Sequence, residues 1–403
     1  MYKAKVVIGS GYGDEGKGLV TDYLSQGWAD LVVRFHGGAQ AAHTVKHEDK
    51  EHVFGHVSSA SFSSSSLGLG LIPTYLGPRF VVNPVLFQQE LEELKSKMPY
   101  VPQVFVHPDC YVTTVFDMFI NRVLEESRGA NRYGSVGVGF NETITRNYDK
   151  GVMLQVCDLH SPKLLRKILN IKTAYVLTRL EELGFSITDI KLLREKYDFD
   201  KMQKSTMEAI KYFRAHTNVF NENVFDYYEN VVFEGAQGLL LDEFRGIFPH
   251  VTRSSTGIEN AWKMISKHGS GVHVQSYYVT RAYTTRHGAG PLNAEEAMPF
   301  WVQDTTNVSN EFQGSLRYAP LDVSLLMETI HKDAELLCRL DIPGMNHLVV
   351  TCMDQIPEEH KYIVDGKMIT GTHEQFLKVL YDCIGYPMLL NHSAITPKQM
   401  AEF

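Results

Sequence analysis

An apolar run, Ala4 to Ile8, leads into Gly11-Tyr12-Gly13-Asp14-Glu15-Gly16-Lys17-Gly18, and an amphipathic segment follows from Leu19 to Leu24. A glycine-dense turn between a buried strand and a helix is the opening of a wound α/β sheet, and it constrains this chain more than any other feature. The turn satisfies both GxGxxG and GxxxxGK. Its dinucleotide-binding form also needs an acidic residue near the end of the second strand, to hold a ribose hydroxyl. The second strand, expected over Asp30 to Phe35, instead runs through Arg34-Phe35-His36-Gly37-Gly38. Binding of a nucleoside triphosphate fits better: glycines let backbone N–H groups converge on phosphate at a helix N-terminus, and a lysine adds a point charge. The Ser/Thr that usually follows that lysine and holds magnesium is Gly18 here, so another group must hold the metal. Asp14, an acid among phosphate-binding amides, is the candidate. A plain solvent-facing turn has no use for four glycines, an acid pair and a lysine.

The rest of the chain supports a large sheet. Strand-like runs recur at Val231 to Phe233, Val272 to Tyr283, Leu348 to Thr351 and Met388 to Leu390, alternating with helical patterns at Val323 to Asp333 and Glu374 to Ile384. Such alternation predicts an α/β fold: a large, mainly parallel central sheet flanked by helices, with a P-loop-like nucleotide site. Asn83-Pro84 reads as the cap and first residue of a helix reaching Met98. Ser161-Pro162 opens a helical region that Gly184 interrupts and that resumes from Thr188 to Arg214. The simplest organisation is one domain over residues 1–403 with a mostly helical insertion at about 155–228. The serine-rich stretch Ser58 to Ser66 is expected to be a mobile loop or surface insertion.

With 44% hydrophobic and 21% charged residues the chain can bury a core. Its net charge of −8, without long single-sign blocks, argues against a protein that coats nucleic acid or a membrane surface. No 18 apolar residues stand together and no leader-like segment opens the chain, so a cytoplasmic location is expected. Five cysteines, without a CxxC pair, suggest reduced thiols, mostly in the core.

Two further clusters carry chemistry. Gly37-Gly38-Ala39-Gln40-Ala41-Ala42-His43-Thr44 follows the second strand, with small residues for close ligand approach and His43 as the acid/base candidate, although a lone histidine is more often structural. Phe233-Glu234-Gly235-Ala236-Gln237-Gly238-Leu239-Leu240-Leu241-Asp242 ends a later strand with an amide suited to a neutral base edge, or with a structural turn.

In this order the three clusters resemble the adenylosuccinate synthetase family, whose GDEGKGK, GG-x-NAGHT and EGAQGTLLD segments they match. Phe248 to Thr256 and Tyr283 to Pro291 match two more of its motifs, and Asn310-Glu311-Phe312 a third, so the likeness spans nearly the whole chain. The resemblance implies a ligase that joins L-aspartate to C6 of a 6-oxopurine nucleoside monophosphate through a 6-phosphoryl intermediate, consuming a nucleoside triphosphate with Mg2+. The logic stands on its own: a lactam oxygen is a poor nucleophile and a hydroxide-like O6 a poor leaving group, so deprotonation and phosphorylation solve both problems. Carried over by residue, Asp14 takes the purine N1 proton and His43 acts as general acid on the transferring phosphoryl group. Gly13, Glu15, Gly16, Lys17, Gly18 and Thr44 hold the triphosphate, and Asp14 with the main-chain carbonyl of Ala42 holds Mg2+. Gln40, Ser135, Gln237 and Thr252 hold the monophosphate, together with Arg146 reaching in from a neighbouring subunit, which implies a homodimer.

Departures from the family pattern narrow the reading. The segment Gly134 to Thr143 is shortened, and the arginine-rich aspartate loop is reduced to Gln313 to Asp322, leaving Arg317 for an aspartate carboxylate. The base-reading segments become Thr351-Cys352-Met353-Asp354 and Ser393 to Pro397, with Asp354 kept and the base-packing lysine lost, which points away from GTP. The shortened segment and the TC-x-DQ motif resemble the phage-encoded branch, which acts on dGMP with ATP or dATP and makes N6-succino-2-amino-2′-deoxyadenylate, a 2-aminoadenine DNA precursor. The alternative is the ordinary enzyme using IMP and GTP. A retained Asp14 suits IMP, yet a carboxylate there can also accept from both N1–H and the 2-amino group of guanine. A GTPase switch would need a Ser/Thr after Lys17 and an NKxD-like motif, and a catalytically dead regulator would be expected to lose Asp14 or His43.

Overall fold

The first strand, Lys3–Gly9, is apolar on both sides because it is covered on both. Val6 and Ile8 face one core and Val7 the other, the period-two alternation of a pleated strand. The computed structural model describes residues 3–47, 50–68, 70–129, 132, 134–268, 272–297, 315–339, 344–391 and 400–402. In it, Lys3–Gly9 lies inside a ten-stranded sheet, between Asn230–Gly238 and His273–Arg281. From one edge the order is Asn218–Val219, Val104–Val106, Thr74–Leu76, Leu31–Arg34, Asn230–Gly238, Lys3–Gly9, His273–Arg281, Gly344–Thr351, Met388–Asn391 and Met400–Glu402. Every neighbouring pair is parallel except the last. The α/β fold expected from the sequence is therefore the observed one.

The helix Lys17–Ser25 covers one face through Leu19, Val20 and Leu24. On the other face, Val323–Arg339 buries Val323, Leu326, Ile330, Ala334 and Leu337, a single helical stripe, and His373–Ile384 packs beside it. A separate core joins Pro84–Lys97 and Val115–Arg128 to the helices Leu164–Asn170, Val176–Glu182, Ile187–Lys196 and Phe199–His216. Asn83 caps Pro84–Lys97 as expected, its side chain accepting from the N–H groups of Val85 and Leu86. No helix among the described residues is long and apolar enough to cross a membrane.

Three expectations are corrected. The serine-rich stretch is no surface loop: Ser58, Ser59, Ser61, Ser63 and Ser65 are buried, because their hydroxyls and amides find partners in Glu234, Asp22 and Thr74. The apolar run from Val272 to Tyr283 is two strands, since Tyr283–Arg286 leaves the main sheet to pair antiparallel with Arg317–Asp322 in a second, four-stranded one. Of the five free cysteines, Cys110 and Cys352 are buried while Cys157 and Cys338 are exposed.

Candidate functional site

Carboxyl ends of the central strands are where a wound sheet leaves a crevice, and here Gly9, Arg34, Gly238, Arg281 and Thr351 end five adjacent strands. The sequence clusters meet there. The loop after Gly9 enters its helix through Gly16, whose φ of 94° lies in the left-handed region, and no side chain caps the helix. Gly18 has no room for a side chain: a Cβ there would lie 2.5 Å from the Cβ of His43 and 2.8 Å from Ser59 Oγ. The missing Ser/Thr after Lys17 thus has a steric cause, the seating of His43 against the helix.

Asp14 is a non-glycine residue held at φ 61°, a strained conformation that aspartate tolerates better than most. Arg281 Nε donates to its carbonyl at 2.5 Å, and His287 Nε2 lies 3.2 Å from its Oδ2. Arg281 also donates to Tyr283 Oη, and Tyr283 to Gln355, which ties the loop to the 351–355 segment. Thr351 Oγ1 adds a direct bond to the Glu15 carbonyl at 2.7 Å. Part of the phosphate cradle is occupied from within: Glu15 Oε1 accepts from the N–H groups of Gly11 and Gly13 at 3.0 and 2.8 Å, and Lys17 Nζ lies 2.5 Å from Glu15 Oε2. Lys17 and Glu15 are both buried.

His43 is fixed by the third cluster. Its Nδ1 lies 2.6 Å from Glu234 Oε1, while its Nε2 is buried without a protein partner. Burial pushes the Glu234 carboxyl up, but Arg34, 4.0 Å away, and the hydrogen bonds of His43 and Ser59 outweigh that and hold it at about 2. Burial also draws His43 below its ordinary value, against the pull of Glu234. The consistent state is an ionised Glu234 receiving the Nδ1 proton of a neutral His43, which leaves a bare Nε2 lone pair. Nearby His36 is pushed down to about 3, by burial and then by Lys17 and Arg34, and accepts from the Ala236 amide at 3.2 Å.

The other predicted residues divide. Gln40 buries both amide atoms without a protein partner, and Gln237, at φ 60°, turns its Oε1 toward Gly13. Ser135 donates to Asn121 Oδ1 at 3.0 Å and accepts from the Gly137 amide. Thr252 is tied to Leu241 through its amide at 2.8 Å, Thr44 sits in the His43–His47 strand, Ala42 is half-buried beside His43, and Asp354 is exposed in the turn Met353–Gln355. Arg317 is engaged by Glu295, 2.6 Å away, and by the carbonyls of Gly288 and Gly290. The Asn310–Phe312 motif, Gln313, Gly314 and Ser393 to Pro397 lie outside the described residues.

Arg146 requires a correction. It does not extend toward a neighbouring subunit: it is fully buried, donating to both oxygens of Asp117 at 2.7 and 3.0 Å and to the carbonyls of Val112 and Val152. Breaking a buried ion pair strands its other charge, so Arg146→Leu should cost about 3–5 kcal/mol of stability. Denaturant unfolding checks this, and an unchanged midpoint would reject it. Glu234, Ser59, Arg281 and His287 were not singled out from the sequence; Glu234 carried a signal, as an acid directly after the apolar run Val231 to Phe233.

The family model "Adenylosuccinate synthetase" matches residues 6–370. The adenylosuccinate synthetase of Clostridium perfringens is 30% identical over 387 residues, covering 91% of this chain and 82% of its own. That of Clostridium acetobutylicum is 32% identical over 298 residues, 72% of this chain and 65% of its own. Two solved structures share the fold at low identity. The fully ligated adenylosuccinate synthetase of Plasmodium falciparum has a TM-score of 0.73 at 18% identity, covering 99% of each chain. The succinoaminodeoxyadenylate synthetase of cyanophage S-2L, bound to dGMP and to dATP as energy donor, has a TM-score of 0.63 at 14% identity, covering 100% of this chain and 95% of its own.

Proposed function

This chain belongs to the adenylosuccinate synthetase family, C–N bond-forming ligases that depend on a nucleoside triphosphate and Mg2+, and from that premise we propose that it joins L-aspartate to C6 of dGMP with ATP or dATP as phosphate donor. One observation carries the reaction: around a single glycine loop stand a carboxylate held in a strained backbone conformation and a half-buried histidine whose Nε2 is buried without a partner among the described residues.

Asp14 accepts the proton from purine N1, and the electron pair moves onto O6. O6 attacks the γ-phosphorus while the bond to the β–γ bridging oxygen breaks, and His43 Nε2 faces the phosphoryl group in flight. The amine of L-aspartate then adds at C6, and phosphate leaves with O6. Among the described residues no three His, Cys, Asp or Glu side chains converge on a cation site, so Mg2+ would rest on phosphate oxygens together with the Asp14 carboxylate and the Ala42 carbonyl, where it supplies charge neutralisation. Triphosphate binding at the loop amides and Lys17 requires Glu15 to share or yield them. Aspartate binding at Arg317 likewise requires Glu295 to move aside. The homodimer remains part of the proposal, with Arg146 no longer its cross-subunit residue.

For the purine, support comes from the shortened Gly134–Gly139 wall. It presses on the loop that carries His287: a Cβ at Gly134 would lie 2.6 Å from Gly288 Cα. A guanine site must supply an acceptor to the 2-amino group, since a buried N–H left unpaired costs roughly 1–3 kcal/mol. Asp14 can supply it beside the N1 contact. The cyanophage likeness is in keeping with this reading, whereas the names of the Clostridium relatives favour the ordinary adenylosuccinate synthetase. We expect dGMP to be used at least about tenfold more efficiently than IMP, roughly 1.4 kcal/mol of differential transition-state binding. Initial rates with IMP, GMP and dGMP against ATP, dATP and GTP measure it, and IMP matching or exceeding dGMP restores the ordinary reaction.

A further inference from the structure

We propose that His287 is a positioning residue for Asp14, setting the rotation of the carboxylate that takes the purine proton. The proposal rests on the reading of Asp14 as that base. Asp14 is held at three points. Its backbone is locked at φ 61°, its carbonyl accepts from Arg281 Nε, and its Oδ2 lies 3.2 Å from His287 Nε2. The first two contacts fix where the residue is but leave the carboxylate free to turn about its Cβ–Cγ bond. Among the contacts of the described residues, the third acts on the plane of the reacting oxygens. A donor on Oδ2 leaves the Oδ1 lone pair for a substrate N–H, and the chosen orientation is in place before the purine arrives.

The local fold makes His287 a precise placement device. It directly follows the strand Tyr283–Arg286, in which Arg286 is pinned by the carbonyls of His250 and Pro291 and stacks over Tyr12 with its guanidinium carbon 4.2 Å from the ring centroid. Thr285 Oγ1, two residues before the histidine, reaches the Gly13 carbonyl at 3.4 Å. The strand end and the glycine loop are thus joined immediately before the contact, through Thr285 with Gly13 and Arg286 with Tyr12, and the histidine side chain is itself largely buried.

The test is steady-state kinetics on the full chain with dGMP, IMP, ATP and L-aspartate. His287→Ala should lower kcat by about 10- to 100-fold, the range of a misoriented general base, with the KM for ATP within about twofold and the thermal midpoint unchanged. His287→Gln, which restores a donor without the ring, should recover most of the loss. A merely structural histidine would lower the midpoint and would gain nothing specific from the amide. Should His287→Ala fail to fold, His287→Leu, which fills the space without donating, is read in its place. A kcat within twofold of wild type, or a loss that glutamine does not repair, overturns the proposal. Asp14→Asn, assayed in parallel, separates the two failures. If it is inactive while His287→Ala is normal, only the role of His287 falls. If Asp14→Asn is active, the base assignment falls with it.

Discussion

Asparagine at position 14 should reduce succinylation by on the order of 10³-fold or more while leaving the fold intact. The substitution removes the carboxylate proposed to accept the purine N1 proton, and a general base contributes roughly 10²- to 10⁴-fold by itself. Loss of the same charge also weakens the hold on Mg2+, so the two deficits compound. Stability should change little. Asparagine adopts the left-handed conformation as readily as aspartate, so φ 61° is preserved, and the Arg281 contact runs to the backbone carbonyl, which the change leaves in place. Asp14 is half-buried and the substitution conserves its shape, so the cost should stay at about 0.5 kcal/mol. Product formation and the thermal midpoint, measured together, decide the matter: activity within a few-fold of wild type removes Asp14 from the reaction, and a large fall in midpoint makes the loss uninterpretable as chemistry.

Asp14 also shows how far the sequence could be read. Its place inside a glycine loop, between a buried strand and a helix, was legible because residue types and spacing carry that information locally. So were the parallel sheet, from alternating apolar runs, and the Asn83 cap, from one Asn-Pro pair. What stayed hidden depends on partners far along the chain. Composition says that Ser58 to Ser66 is polar and turn-prone, but its burial follows from Glu234 and Asp22, 175 residues away in one case, offering partners to Ser59 and Ser63. Arg146 looked like a ligand-reaching arginine because nothing nearby in sequence reveals that Asp117, on another helix, neutralises it. The contact of His287 with Asp14 joins positions far apart in the chain at a place where the matched motif does not specify a residue. Strand order has the same character. The first and second strands are separated by Asn230–Gly238, which the chain inserts between them late. That insertion brings Glu234 beside His43, turning a lone histidine into half of an oriented pair.

From that pair follows the second large effect. His43→Ala should lower turnover by about 10²-fold or more, with substrate binding less affected, because its role is made in the transition state. The geometry states what is lost. Glu234, held at about 2, is ionised at neutral pH and accepts a hydrogen bond from Nδ1–H, so the ring presents a bare Nε2 in the absence of ligand. Burial keeps the free ring neutral, and a phosphoryl group brought against it adds negative charge that raises its proton affinity. On the proposed role, His43 would gain its proton when the triphosphate arrives, and Glu234 would stabilise the resulting imidazolium. Testing this through Glu234 would confuse the outcome, since Glu234→Gln leaves Arg34 buried and unpaired and should unfold the region at a cost of about 3–5 kcal/mol. His43→Ala is the cleaner change because the side chain sits against the Gly18 position through its Cβ, which alanine keeps. Single-turnover phosphoryl transfer, alongside the thermal midpoint, separates the alternatives: slow transfer in a folded protein supports the acid role, whereas normal transfer from a destabilised one shows that the histidine only fills the space beside the helix.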